Sequence, residues 1–102
     1  MIYVIATIEV TPGQRDAFLA EFRKVVPLVR AEAGCREYAL ALDLPTDVPA
    51  QAPPRQDVVT VVEKWDSLEA LRAHLQAPHM AEYRARVKGL VVGARLHILQ
   101  PG

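Results

Sequence analysis

The chain has 102 residues, 51% of them hydrophobic, and twelve Lys and Arg balance twelve Asp and Glu. That length carries one small domain, residues 1–102, near the lower limit for a single hydrophobic core. The balanced charge, with no basic run and no aromatic-basic interleaving, gives nucleic acid no electrostatic hold.

Cys35 is the only cysteine, so neither an internal disulfide nor a CxxC pair can form, and a reducing, cytoplasmic setting is expected. The opening "MIYVIATIEV" is apolar, but it lacks a positive leader, contains Glu9 and falls far short of the roughly 20 residues of a membrane span. No membrane partner is expected. Residues 2 to 10 read as a strand rich in β-branched side chains and apolar on both parities.

"TPGQ" then predicts a helix start, with Thr11 as N-cap, Pro12 in the first helical position and Gln14 completing a capping box. Phe18, Phe22, Val25, Val26 and Val29 recur at helical spacing, Pro27 predicts a kink, and Gly34 marks the exit. "CREYALALDL" (35–44) alternates as a second strand. The next twelve residues, 45–56, contain four prolines and predict the one long loop.

"DVVTVVEKW" is a third strand that sets Val59, Val61, Glu63 and Trp65 on one face, opposite Val58, Thr60, Val62 and Lys64. Asp66 or Ser67 caps a second helix with Leu68, Leu71 and Leu75 on one side. Pro78 closes that helix or restarts a short one carrying Met80, Tyr83 and Val87. "LVVGARLHIL" after Gly89 completes a β-α-β-β-α(α)-β order, the α+β ferredoxin-like βαββαβ arrangement with an antiparallel sheet. Helices cover only one face of such a sheet, whereas strands 1 and 3 are apolar on both, so a second copy of the chain is expected on the other face as a homodimer.

The glycines form neither GxGxxG nor GxxxxGK, so no nucleotide cradle is present. His74 and His79 are five apart across Pro78, unlike the HExxH spacing, and no metal site is expected. With Ser67 the only serine, a hydrolase triad has no support. Cys35 has no basic helix terminus beside it and reads as structural.

Glu63 stands out as a carboxylate on an otherwise apolar strand face. It is either an active-site group with a raised pKa or one half of a salt bridge with an Arg such as Arg95. His74, three residues after Leu71, is the side chain best suited to move a proton near neutral pH; spacing alone favours a half-exposed ring packed at the helix interface. His79 equally suits a cap after Pro78. Met80 and Tyr83 read as core, and Tyr38 as cross-strand packing.

"YVIATIEVTPGQ", "EAGCREYAL", "EKWDSLEALRAHL" with "PHM", and "VKGLVVGARLHILQPG", in that order, resemble the antibiotic biosynthesis monooxygenase family, especially its bacterial quinol monooxygenase branch. The resemblance implies a dimeric α/β barrel and a cofactor-independent oxidation of a quinol, phenol or naphthol by O2, with no flavin, haem or metal. Trp65 and His74 match the recurrent Trp and His of the family, and His79 matches the His of the following "PH". Haem-degrading relatives carry an Asn on the first strand where this chain reads Ile5, Ala6, Thr7.

With the residues singled out on chemical grounds, the expected site has His74 and Glu63 as catalytic groups and Trp65, Tyr38, Met80, Tyr83 and His79 around a small aromatic substrate, with the loop 45–56 as a cap. The alternative is a non-catalytic dimeric barrel that binds a small apolar or phenolic ligand.

Overall fold

A computed structural model describes all residues 1–102. Strand β1 (Ile2–Val10) leads into helix α1 (Arg15–Arg30), strands β2 (Cys35–Ala41) and β3 (Val58–Trp65), helices α2 (Leu68–Leu75) and α3 (Pro78–Val87), and strand β4 (Val91–Leu99). The four strands form one antiparallel sheet in the order β2-β3-β1-β4, the expected split βαβ topology.

One face of the sheet is covered by the helices. Val4, Ala6, Ile8 and Val10 of β1 and Val59, Val61, Glu63 and Trp65 of β3 are buried there, so strand alternation separates the predicted faces correctly. Phe18, Leu19, Phe22, Val25 and Val29 of α1 close the core from the helix side, joined by Met80, Tyr83 and Val87 of α3. Phe22 holds the layers together: it stacks on Tyr38 with ring centroids 5.6 Å apart and meets Tyr83 edge-on at 5.4 Å.

On the opposite face Tyr3, Ile5, Thr7, Val58, Thr60 and Val62 are only half-buried, with no helix over them. Edge strand β4 is mostly exposed, including Leu96, Ile98 and Leu99.

The start of α1 and the inward stripe of α2 depart from expectation. Helix α1 starts at Arg15, not Pro12, and no side chain caps it. Gly13 takes a left-handed φ of 80° and donates its N–H to Asp57 Oδ1, so "TPGQ" is spent on a turn tied to the start of β3. Of the two caps offered for α2, Ser67 is the one used: its hydroxyl accepts from the Ala70 N–H at 3.1 Å, while Asp66 pairs with Arg36.

The inward stripe of α2 is Leu71 and His74, and Leu68 and Leu75 are exposed. Pro78 restarts the chain as the first residue of α3, and α1 runs through Pro27 as one helix. The proline-rich stretch is a loop without regular structure, as expected.

Candidate functional site

A cavity of about 330 Å³ lies between the sheet and helices α2 and α3, lined mainly by apolar side chains. That volume is at the small end of the range for ligand pockets. Five of the seven sequence-derived site residues line it: Tyr38, Glu63, His74, Met80 and Tyr83. The sheet register explains the first pair, because Tyr38 of β2 sits directly opposite Glu63 of β3 on the inward face.

A larger hollow of about 600 Å³ lies across the uncovered face near Thr7, Arg55, Asp57 and Arg95 and touches none of these residues. The smaller one, apolar and with convergent polar groups, is the candidate site.

His74 is 2% exposed, not half-exposed as its spacing suggested. Its ring lies 4.7 Å from that of Trp65 and 5.4 Å from that of Tyr38. Its Nδ1 is 2.9 Å from Oε2 of Glu32, and the same oxygen is 2.8 Å from Nε2 of His79. A carboxylate only accepts, so the hydrogen resides on Nδ1 of His74. His74 lines the cavity, and with Nδ1 engaged by Glu32 the ring nitrogen left without a protein partner is Nε2. Burial is the main influence on the His74 pKa and pushes it below the ordinary value, with Glu32 opposing.

Glu63 is 5% exposed and does not pair with Arg95, which is registered against Thr7 of the uncovered face. Its Oε1 accepts from Trp65 Nε1 at 2.9 Å instead. Burial pushes its carboxyl up to about 7, partly offset by that bond and reinforced by the charge of Glu32. The phenols of Tyr38 and Tyr83 are also pushed up by burial and stay protonated at neutral pH. Cys35 is free, its thiol raised by burial and by the nearby Glu32 and Glu63, so it carries no thiolate chemistry at neutral pH.

Two predicted residues do not line the cavity. Trp65 is fully buried behind it, backing His74 and holding Glu63. His79 faces the other side of Glu32 and is partly open to solvent. The loop 45–56 also stays away from the cavity. Its Gln51 and Arg55 fold back on Leu44 and Asp43, including a bidentate Arg55–Asp43 pair.

Glu32 was missed by sequence reasoning. It lies in the α1–β2 turn, 42 residues from His74, where no spacing rule reaches; the only local signal is an acidic residue two places before Gly34. Gly34 takes φ 82°, its carbonyl accepts from the Asp66 N–H at 2.9 Å, and a Cβ on it would lie 2.7 Å from that of Ala70. The turn is thereby pressed onto the start of α2, which brings Glu32 to His74. Glu32, His74 and His79 meet through hydrogen bonds; no group of three or more His, Cys, Asp or Glu is placed to hold a metal ion.

A split βαβ sheet with a buried His and Glu on one small apolar cavity matches a known class: residues 1–86 fit the antibiotic biosynthesis monooxygenase family, to which the chain belongs. Within it, the chain is 44% identical over 104 residues to "Probable quinol monooxygenase YgiN" of Escherichia coli, covering 100% of this chain and 99% of that one.

Rv0793 from Mycobacterium tuberculosis superposes with a TM-score of 0.80 at 29% identity, covering 99% of this chain and 94% of that one. PA3566 from Pseudomonas aeruginosa gives 0.80 at 27% identity, covering 99% and 93%. The family resemblance, the ferredoxin-like fold and the monooxygenase class read from the sequence are borne out. No helix is long and apolar enough to cross a membrane.

Proposed function

We propose that the chain is a cofactor-independent monooxygenase that oxidises a quinol, or a related phenol or naphthol, with O2. The observation that carries this reading is His74, a buried imidazole that lines an apolar cavity, with Nδ1 held by Glu32 and Nε2 left without a protein partner. The likeness to the relative named as a quinol monooxygenase supports the substrate class.

Direct reaction of O2 with a closed-shell quinol is spin-forbidden, so the useful act of the protein is to make the quinol a better one-electron donor. Nε2 of His74 takes the hydroxyl proton, and the quinolate passes one electron to O2. The radical pair combines into a ring peroxide, which regains a proton from Nε2 and loses water. The balance is quinol plus O2 giving hydroxyquinone plus water.

The environments of the two buried groups divide the work: His74 is kept uncharged as the base, and Glu63, half-protonated near pH 7, can donate to the departing hydroxide. Tyr38, Met80 and Tyr83 bound the ring. Trp65 serves from behind the wall.

The half-buried apolar side chains of the uncovered sheet face support a homodimer packed sheet to sheet, and the single free thiol suits the cytoplasm. The rival reading, a ligand-binding barrel without turnover, uses the same cavity but has no need of a buried imidazole. Oxygen uptake with 1,4-naphthohydroquinone in metal-free buffer separates the two. A rate equal to buffer autoxidation sinks the enzyme.

A further inference from the structure

We propose that Glu32 is a positioning residue that fixes the tautomer and aim of the His74 ring, with His79 as the second anchor of its carboxylate. This rests on His74 being the base. Glu32 lines no part of the cavity, so its contribution passes through the imidazole.

The geometry gives each member a distinct task. His74 and His79 share one oxygen, Oε2 of Glu32, at 2.9 and 2.8 Å. A carboxylate on a turn has rotational freedom that a single hydrogen bond does not remove; a second donor from another helix does. The ring of His74 is boxed by Trp65 on one side and Tyr38 on another, so it cannot turn over to exchange its nitrogens while those rings stay in place. The nitrogen presented to the substrate is therefore chosen by where the hydrogen sits, and Glu32 places it on Nδ1. When Nε2 takes the substrate proton, the imidazolium gains the full charge of Glu32 beside it. A carboxylate behind a catalytic imidazole is a general solution for holding tautomer and orientation.

The charged and titratable groups facing His74 are Glu32 from the α1–β2 turn, and His79 and Arg84 from α3. Tyr38 packs on the ring from β2, and Glu63 shares the cavity wall with it from β3. Among these only Glu32 and His79 join the His74 ring in a hydrogen-bond chain.

The test reads the tautomer and the kinetics separately. Ring-nitrogen NMR of the wild type at pH 7 to 8 is expected to find His74 as the Nδ1–H form; finding the Nε2–H form overturns the proposal without any variant. Glu32→Leu removes the acceptor at Nδ1 and is expected to release the Nδ1–H preference. It should lower kcat for 1,4-naphthohydroquinone on the order of 10²- to 10⁴-fold with KM little changed.

Glu32→Asp keeps a carboxylate and is expected to keep the Nδ1–H form and to recover part of kcat. His79→Gln retains a donor to Glu32 and is expected to keep the tautomer. A Glu32→Leu protein that retains both the Nδ1–H form and wild-type kcat overturns the proposal. A wild type that oxidises no quinol overturns the function, while the ring-nitrogen spectra still decide the place of Glu32.

Discussion

Trp65 Nε1 donates to Glu63 Oε1 at 2.9 Å, two residues apart on one strand, while the same indole packs 4.7 Å from the His74 ring. The only tryptophan therefore braces Glu63 and His74 from outside the cavity. A Trp65→Phe substitution removes the donor and part of the stack from a fully buried position. It is expected to cost about 2–4 kcal/mol in urea unfolding and to lower kcat more than it raises KM. A large rise in KM alone would mean that the indole touches substrate directly.

The single indole is also a built-in reporter. Imidazolium quenches indole fluorescence, and burial pushes the His74 pKa below its ordinary value of 6.5. Emission is expected to fall on acidification with a midpoint below pH 6.5, and the step should vanish in His74→Gln. The same variant should lose on the order of 10²- to 10⁴-fold in kcat with 1,4-naphthohydroquinone if His74 is the base.

The pH dependence of stability has two opposed arms. The folded-state pKa of Glu63 is raised from 4.5 to about 7, so the folded protein binds more protons than the unfolded chain between those values. Stability from this group is present below about pH 4.5 and is lost as pH rises through 7, by about 3 kcal/mol at most. His74 acts in the other direction: its pKa is lowered by folding, so its contribution is lost as pH falls below 6.5. Glu63→Gln keeps an acceptor for Trp65 Nε1 and cannot ionise. Urea titrations from pH 4 to 9 should find the decline between about pH 4.5 and 7 removed, with the variant more stable than wild type above pH 7.

Gly34→Ala adds two burdens, a left-handed φ of 82° and a Cβ 2.7 Å from that of Ala70. The expected cost is about 1–3 kcal/mol from the backbone alone. The double variant with Ala70→Gly should regain the part due to the clash and not the part due to φ. Full recovery in the double variant would show that the backbone conformation carries no cost.

Ile5 and Val62 are neighbours across β1 and β3 on the uncovered face. A homodimer built on that face should dissociate on Val62→Lys. Sedimentation at micromolar concentration is expected to give a dimer for wild type and a monomer for the variant; a monomeric wild type ends the sheet-to-sheet proposal.

Much of this arrangement was legible because strand alternation is a local rule. Glu63 and Trp65 had to share a face, and apolar neighbours Val59 and Val61 made that face the inner one. The same logic put Met80, Tyr83 and Val87 inward on α3. What escaped depended on long-range partners. Gly13 gave its N–H to Asp57 and moved the start of α1, and leucines on α2 yielded the interior to His74 because Glu32 and Trp65 awaited that ring. Trp65 was placed on the correct face, but one row too far along the sheet to reach the cavity.

Ala94 and Leu96 of edge strand β4 line the cavity, yet both are exposed and carry no helix over them. The pocket is thus half core and half margin: changes at Tyr38, Glu63 or His74 disturb the packing of the whole domain, whereas changes along β4 sit where substitutions usually cost within about 0.5 kcal/mol. The proposed acid–base groups lie in the half that resists mutation, and the proposed ring site extends into the half that tolerates it, so descendants of one catalyst could diverge in what they accept without first becoming more stable.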